Sequence, residues 1–575
     1  MIGRHGLIPQ STVCILLLCA APAAAQPATG ARGMVVASQE DAARAGLALL
    51  AAGGNAVDAA VATAFALAVT QPFSAGLGGG AFLLVQTAEG ATWALDARET
   101  APAAADRDMY VRPGVPERAS LAGGLAVATP GFVRGLARAL ETWGTRPLAD
   151  VLAPAIELAE QGFAIGRYHV RMLEYMRKVG LPQRFPETAR IQFPPENAAP
   201  REGWRLLQPD LARVLRRIAA EGPDAFYTGA IAVQIAQTVK ARGGILALED
   251  LAAYEPKLRE PVKGGYRDLE VLSFPPPSSG GVALVEILNI LEGFDLAQLG
   301  PAQPRAAHRI AEAMKLAFAD RAAWLGDPDF VGVPVSRLTS KRYAATLRSR
   351  IEPPFWKKVL PRGDRAIEVK GSGLPANDSG TTHLSVTDAA GNAAALTMTI
   401  NTPFGSGITV PGTGILLNNE MDDFSKAPGT PNIYGLVDKR GANAIAPNKR
   451  PLSSMTPTIV SRDGRIFMVT GSPGGPRIIS TTLHTILNVV DFEMDVQEAV
   501  AAPRYHHQWI PNKVFAEPLL SPAIVEGLRE RGHEVEVAKR PWSSAQSIVV
   551  DAETGLHLGG SDPRGDGAAI GYNPR

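Results

Sequence analysis

The stretch NDSGTTHLSV, residues 377–386, places a glycine before two threonines where a polar loop turns into a strand-like alternation. Threonine hydroxyls are weak nucleophiles, and most threonine pairs only pack in a sheet because β-branched residues favour strands. A chain cut between Gly380 and Thr381 would give Thr381 a free α-amine with a pKa of ~8. That amine could take the proton of its own residue's hydroxyl, which would make Thr381 a nucleophile without a histidine partner.

The strand beginning at Thr381 is predicted to form a hairpin with the run AAALTMTIN, which follows the turn AAGN. The centre of the turn lies near residue 390, so outward pairing brings Thr381 opposite the region from Thr399 to Asn401. Two polar side chains would then end beside Thr381. The pattern alone leaves open an ordinary hairpin whose threonines serve only strand propensity.

Several predicted elements surround this hairpin. Near the start, SQEDAARAGLALLAAGGN predicts a helix capped by Ser38, and a second, almost wholly apolar helix follows, capped by Asn55 with Asp58. The middle of the chain is mostly helical in pattern, and residues 352–378 are typical of an interdomain linker. Strand-like runs resume at Thr381. Two strand-rich regions around a helical middle predict helices layered on a central mixed sheet.

The composition bears on the size of the core and on the kinds of partner to expect. The 575 residues are 46% hydrophobic, which is enough to bury a sizeable core. Lys and Arg total 57 against 56 for Asp and Glu, and the net charge of +1 gives no reason to expect a nucleic acid or an anionic membrane as partner.

The first residues, 1–25, are typical of a secretory signal, with a basic start, an apolar run and a small-residue end. The apolar run is shorter than the ~20 residues of a membrane span, so no stable membrane span is expected. We therefore expect a secreted or periplasmic protein. Both cysteines, Cys14 and Cys19, lie in this segment, so the mature chain would have no disulfide. A lipid anchor on Cys19 is the alternative.

Motifs along nearly the whole mature chain resemble the γ-glutamyltransferase family of N-terminal nucleophile hydrolases. The resemblance implies an α+β fold, a four-layer αββα sandwich built jointly by a large subunit, 26–380, and a small subunit, 381–575. It also implies that both subunits come from one autoprocessed precursor and form a heterodimer. The motifs that carry the resemblance are GGNAVDAAVATAFALAV, LGGGAF, DARETAP, NDSGTTHLSV, NTPFGSGI, GILLNNEMDDFS, NKRPLSSMTPTIV and GSPGGPRII.

The resemblance also implies roles for single residues. Thr381 would be the nucleophile, with Thr399 supporting its hydroxyl and amine. Gly474 and Gly475 of GSPGG would donate backbone N–H groups to the oxyanion. Tyr434 would gate the pocket from a lid loop that spans 427–450.

The glutamyl group would be recognised at both of its charged ends. A guanidinium fork and two hydroxyls would bind its α-carboxylate, and one amide with two acids would receive its α-ammonium. The six residues, in that order, are Arg98, Ser453, Ser454, Asn401, Glu420 and Asp423.

The implied activity is transfer of the γ-glutamyl group of glutathione or a similar compound to water, amino acids or peptides, without cofactor or metal. A glutaryl or cephalosporin-type acylase on the same fold is the first alternative, although a donor without an ammonium is expected to leave Glu420 and Asp423 unpaired. A secreted binding protein that never cleaves is the second. A metal-dependent hydrolase is the weakest, because adjacent histidines such as His506 and His507 usually point apart.

Overall fold

The computed structural model describes residues 26–351, 380–427 and 429–574. The predicted signal segment, 1–25, and the predicted linker, 352–378, lie outside the described residues.

Strands and helices are numbered in chain order. The strands are β1 Ala28–Gly30, β2 Met34–Ala37, β3 Gly80–Gln86, β4 Thr92–Ala97, β5 Phe163–Ala164, β6 Arg205–Leu206, β7 Lys257–Arg259, β8 Val262–Tyr266, β9 Leu269–Ser273, β10 Thr381–Thr387, β11 Ala393–Thr399, β12 Thr458–Arg462, β13 Arg465–Thr470, β14 Tyr505–His506, β15 Val514–Ala516, β16 Val535–Val537, β17 Gln546–Val550, β18 His557–Ser561 and β19 Ala568–Gly571. The helices are α1 Glu40–Ala51, α2 Ala56–Thr70, α3 Phe132–Trp143, α4 Leu148–Gln161, α5 Arg167–Lys178, α6 Leu181–Arg184, α7 Pro186–Gln192, α8 Pro209–Glu221, α9 Asp224–Tyr227, α10 Ala230–Ala241, α11 Leu248–Ala252, α12 Gly280–Leu291, α13 Leu296–Leu299, α14 Pro304–Trp324, α15 Val335–Leu338, α16 Lys341–Arg348, α17 Arg477–Val490, α18 Val496–Ala501 and α19 Pro522–Glu530.

Two seven-stranded sheets form the centre of the described structure. One has the order β19-β2-β10-β11-β3-β4-β7, and the other has the order β1-β18-β17-β13-β12-β9-β8. The strand pairs recorded within both sheets are antiparallel. The single mixed sheet expected from the sequence pattern is therefore wrong. Alternation along each strand reports a buried face but does not reveal how the strands divide between two sheets.

Apolar clusters on both faces of each sheet give four layers. Leu384 and Met398 of the first sheet pack against helix α2 and its neighbours. Val36 and Ile459 belong to the cluster between the two sheets. Met468 of the second sheet packs against α12, α14 and α17. The predicted αββα sandwich is confirmed, and none of the described helices is long and apolar enough to cross a membrane.

Both halves of the chain contribute strands to both sheets. The first sheet combines β2, β3, β4 and β7 with β10, β11 and β19, which come after residue 380. The second sheet combines β1, β8 and β9 with β12, β13, β17 and β18. Because strands from the two halves are hydrogen-bonded to each other in both sheets, two fragments cut at residue 380 would remain held together.

The first two helices follow local capping rules, with one difference from expectation. Helix α1 is capped by the side chain of Gln39, which accepts from the N–H of Ala42, and not by Ser38. Ser38 instead donates its hydroxyl to the carbonyl of His383, a contact that no local pattern reveals. The predicted capping box of Asn55 and Asp58 at α2 is confirmed, and every residue of α2 is buried.

A buried acid pair gives a test of stability that is independent of function. Glu286 of α12 is buried and hydrogen-bonded to Asp320 of α14, which also accepts the hydroxyl proton of Tyr343. Burial raises the pKa of Glu286 well above its ordinary value, and the charge of Asp320 raises that pKa further, against a lowering by Arg337. Folding therefore takes up a proton at Glu286, and this contribution to stability is lost as pH rises towards the folded pKa.

We expect Glu286→Gln to donate the same hydrogen bond to Asp320 without titrating. The melting temperature of the variant should exceed that of the parent by on the order of 2 °C at pH 8, with a smaller difference at pH 5. First-scan calorimetry at a fixed rate measures this. Glu174→Gln, at an exposed position of α5, is the matched control and should show no such pH trend. A difference that shrinks as pH rises would contradict the assignment.

Candidate active site

The central hairpin places two threonine hydroxyls side by side. The register of β10 and β11 pairs Thr381 with Thr399, as the turn geometry predicted. Their Oγ1 atoms lie 3.0 Å apart. Thr399 Oγ1 donates to the carbonyl of Gly380 at 2.8 Å and accepts from the N–H of Asn401 at 2.8 Å. A hydroxyl carries one proton, so Thr381 is the donor in the pair.

The carbonyl of Gly380 is held by two donors. It accepts from the N–H of Ile400 at 3.1 Å and from Thr399 Oγ1 at 2.8 Å. A Cβ at residue 380 would lie 2.0 Å from the carbonyl oxygen of Asn401, so only glycine fits here.

His383 lies on the same face of β10 as Thr381 but is occupied elsewhere. Its Nδ1 bonds the hydroxyl of Thr397 at 2.8 Å, and its Nε2 bonds Ser385 Oγ at 3.1 Å. Burial lowers the pKa of His383 to about 3. The ring is therefore neutral at physiological pH, and it serves the packing between the two sheets.

A small pocket opens beside the threonine pair. It brings together nine of the ten residues to which sequence reasoning gave catalytic, binding or oxyanion roles, and also the predicted gate. The lining residues are Arg98, Thr381, Thr399, Asn401, Glu420, Asp423, Tyr434, Leu436, Leu452, Ser453, Ser454, Met455, Gly475, Pro476 and Ile478. Gly474 is absent from this lining, and its carbonyl accepts from the N–H of Arg477 at 3.1 Å.

Arg98 follows the last residue of β4 and points its guanidinium into the pocket. Its Nη1 is paired with Glu420, its Nη2 with Asp423, and its Nε donates to the carbonyl of Pro451 at 3.1 Å. Burial alone would lower the pKa of Arg98, but the charges of Glu420 and Asp423 hold it above its ordinary value. The guanidinium stays charged, and its fork faces two carboxylates.

The two acids come from a single 3₁₀ turn, Glu420–Asp423. Burial raises the pKa of Glu420 well above its ordinary value and raises that of Asp423, in both cases against the opposing charge of Arg98. The Oε2 atom of Glu420 is buried and has no hydrogen-bond partner among the described residues. An entering cation would lower both pKa values and could satisfy this oxygen.

The two serines that are predicted to bind the α-carboxylate lie on a segment fixed by its backbone. Ser453 donates its N–H to the carbonyl of Pro277 at 2.8 Å, and its Oγ accepts from the N–H of Met455 at 3.0 Å. The hydroxyl proton of Ser453 is thus available to a ligand. Ser454 lines the same pocket and is almost fully buried.

Tyr434, the predicted gate, lines the same pocket as Thr381. Its hydroxyl donates to the carbonyl of Asn401 at 2.7 Å. Asn401 has a φ of 75°, a left-handed conformation that asparagine tolerates better than most residues. Gly475 lies under the tyrosine ring, where an added Cβ would be 2.7 Å from the ring carbons. Glycine at residue 475 therefore lets the Tyr434 ring approach the backbone.

Sequence reasoning missed a side chain that bonds the backbone of Tyr434 in the predicted lid loop. Gln508 donates its amide to the carbonyl of Tyr434 at 3.0 Å and accepts from His506 Nε2 at 3.1 Å. His506 bonds Ser480 through Nδ1, and His507 accepts from the N–H of Trp509. The two adjacent histidines therefore have separate partners. No local signal marks Gln508, because its contact spans 74 residues of sequence.

Comparisons with known proteins agree on the family. The family model for Gamma-glutamyltranspeptidase matches residues 42–572. A glutathione hydrolase proenzyme of Escherichia coli is 46% identical over 550 residues, covering 95% of this chain and 93% of that protein. An acylase proenzyme (ACY 1) of a Pseudomonas species is 39% identical over 557 residues, covering 95% of this chain and 94% of that protein.

Solved structures of related proteins have a similar fold. The crystal structure of a cephalosporin acylase from Bacillus halodurans has a TM-score of 0.83 at 30% identity, covering 98% of this chain and all of that one. A γ-glutamyltranspeptidase of Helicobacter pylori has a TM-score of 0.54 at 36% identity, covering 63% of this chain and all of that one. By its sequence, its sandwich fold and the residues around its central hairpin, this chain belongs to the γ-glutamyltranspeptidase family.

Proposed function

We propose that the protein is a γ-glutamyl acyltransferase and hydrolase that acts through Thr381 once the preceding peptide bond has been cleaved. One observation carries the proposal: a single pocket holds the Thr381 hydroxyl together with Arg98, Glu420 and Asp423. A γ-glutamyl compound offers the complement, with a carboxylate and an ammonium at one end and an amide carbonyl at the other. Relatives named glutathione hydrolase support glutathione as the donor.

Maturation begins when Thr381 Oγ1 attacks the carbonyl carbon of Gly380. The oxygen of that carbonyl develops negative charge, and the N–H of Ile400 and the hydroxyl of Thr399 are already bonded to it. The C–N bond then breaks, and the hydroxyl proton ends on the departing amine of Thr381. Water hydrolyses the resulting ester, which leaves a carboxylate on Gly380 and a free hydroxyl and amine on Thr381.

Turnover uses the new amine as the base. It takes the proton of Oγ1 as Oγ1 attacks the γ-carbonyl of the donor, and the proton then passes to the leaving amine. Backbone N–H groups of Gly474 and Gly475 are proposed to hold the oxyanion. Water or the amine of an amino acid or peptide next attacks the glutamyl ester and restores the hydroxyl. Because both ring nitrogens of His383 are occupied, that histidine does not compete for the role of base.

A glutaryl or cephalosporin-type acylase remains the second candidate, favoured by the acylases among the relatives. Because Arg98 already pairs with Glu420 and Asp423, a donor without an ammonium would not leave both acids unpaired, contrary to the expectation from sequence. Such a donor would instead bring a further carboxylate to a guanidinium that already faces Glu99, Glu420 and Asp423. That excess of negative charge favours the γ-glutamyl donor.

Two measurements on the purified protein test the proposal. We expect N-terminal sequencing of the smaller fragment to begin at Thr381, and we expect γ-glutamyl anilide to be cleaved in preference to glutaryl anilide. A preference for the glutaryl compound would favour the acylase. A single uncut band without activity would favour a binding protein that never cleaves.

We also propose that the two fragments, 26–380 and 381–575, stay together as a heterodimer outside the cytoplasm. The interleaved strands of both sheets support the association. Export is supported by the pattern of residues 1–25. After cell fractionation, the larger fragment should begin at Gln26, whereas a lipid-bearing fragment beginning at Cys19 would indicate an anchor.

A further inference from the structure

A second, small cavity adjoins the glutamyl pocket. The two share Asp423, Leu436 and Leu452 as a common wall. The residues that line the second cavity are Arg321, Ala322, Leu325, Asp423, Phe424, Ser425, Asn432, Leu436, Val437, Asp438, Asn443 and Leu452. The cation among them, Arg321, has no part in the chemistry described above.

Arg321 lies in the last turn of α14 and is only 5% exposed. Within the described residues, the hydrogen bond of its side chain is from Nε to Ser279 Oγ at 3.0 Å. Burial lowers the pKa of Arg321 to about 10, so the guanidinium remains charged at neutral pH. A buried charge is costly unless it acts on nearby groups of opposite charge.

Ser279 connects Arg321 to Ser453, one of the two serines predicted to bind the donor carboxylate. Its Oγ donates to the carbonyl of Ser453 at 2.7 Å, and its N–H donates to the same carbonyl at 2.8 Å. The Ser279 hydroxyl thus accepts a hydrogen bond from Arg321 and donates its single proton to the carbonyl of Ser453. The position of the Ser453 backbone, and with it the serine hydroxyl, depends on this pair of donors.

The charge of Arg321 also acts on Asp423. Burial raises the pKa of Asp423, the charge of Asp422 raises it further, and the charges of Arg98 and Arg321 lower it. A donor carboxylate that binds Arg98 competes with Asp423 for the same guanidinium. Arg321 then remains as a cation beside Asp423. The charged groups that face Asp423 or line its two cavities are Arg98, Glu99, Arg321, Glu420, Asp422 and Asp438.

We infer that Arg321 is a positioning residue of the glutamyl pocket: it fixes the Ser453 carbonyl through Ser279 and supplies a positive charge beside Asp423 when a donor carboxylate binds Arg98. This inference rests on the proposed γ-glutamyl activity. It assigns two separable effects, one through a hydrogen bond and one through charge.

Three variants separate the two effects. Arg321→Met removes both, Arg321→Lys keeps the charge, and Ser279→Ala keeps the charge but breaks the relay. Maturation into two fragments and first-scan melting report folding. For Arg321→Met we expect the KM for γ-glutamyl anilide to rise about tenfold with kcat within about twofold of the parent, because binding is lost without loss of the nucleophile.

The pH profile of kcat/KM reports the charge. Asp423 must be ionised to bind the donor ammonium, so loss of the Arg321 cation should shift the acid limb to higher pH in Arg321→Met. Arg321→Lys should keep the parent's acid limb. Ser279→Ala should raise KM and also leave the acid limb in place.

Clear outcomes overturn the inference. A methionine variant with the parent's KM and acid limb, or with reduced kcat at unchanged KM, would show that Arg321 acts elsewhere. If Arg321→Met does not mature, the other two variants decide. The inference would be overturned if Arg321→Lys and Ser279→Ala both had the same KM as the parent. Failure of the proposed function is distinguishable, because the parent enzyme would then release no glutamate from γ-glutamyl anilide.

Discussion

Replacing Thr381 with alanine is expected to abolish both maturation and turnover. The alanine variant has no Oγ1 to attack the Gly380 carbonyl, so the chain should run as one uncut band on a denaturing gel. Glutamate release should fall by at least about 10⁴-fold, as when other covalent nucleophiles are removed. The hydroxyl of Thr399, 3.0 Å away, is no substitute, because it is already committed to the carbonyl of Gly380.

Two matched controls make this result specific. Thr381→Ser keeps a hydroxyl and an amine, and should mature and retain part of the activity. Thr382→Ala changes the neighbouring residue, whose hydroxyl is buried and makes no hydrogen bond with the described residues. It should mature and act like the parent, since no hydrogen bond is lost. A Thr381→Ala protein that is still cut and still releases glutamate would contradict the assignment.

The parts of the site that could be predicted from sequence are those set by local rules. The turn AAGN and the two-residue period of the strands determine the register that pairs Thr381 with Thr399. The capping box at Asn55 is likewise local, since the side chain bonds backbone groups two and three residues away. The pocket residues came instead from the resemblance to a family, because Arg98 and Glu420 are 322 positions apart.

The residues that sequence reasoning missed act through contacts between distant elements. Arg321 lies in the last turn of a helix, where a basic residue is ordinarily explained by the helix dipole. Its partner Ser279 precedes a different helix, and the carbonyl that Ser279 holds is 174 residues further along. The predicted cap of α1 was wrong for a similar reason, because Ser38 donates its hydroxyl to the carbonyl of His383 in the sheet. Tertiary contacts override local preference at these positions.

Replacing Arg98 with lysine is expected to have the second-largest effect on activity. Lysine keeps a charge but loses the fork that faces Glu420 and Asp423, and the Nε bond to the Pro451 carbonyl is lost as well. Breaking a buried pair costs about 3–5 kcal/mol. We therefore expect kcat/KM for γ-glutamyl anilide to fall by a factor of roughly 10² to 4 × 10³, mostly through KM. Steady-state kinetics on the matured protein measure this.

The matched control is Arg504→Lys, which alters another buried arginine, paired with Asp562 and absent from the lining of the glutamyl pocket. It should lower the melting temperature and leave KM unchanged, which separates loss of a buried pair from loss of donor recognition.

A comparison of two donors adds a further distinction. Arg98→Lys should weaken the binding of γ-glutamyl anilide and of glutaryl anilide alike, because both donors carry the carboxylate. Glu420→Gln should weaken the binding of γ-glutamyl anilide alone, because only that donor carries the ammonium. An Arg98→Lys enzyme with the parent's KM for both donors would place carboxylate recognition on other residues.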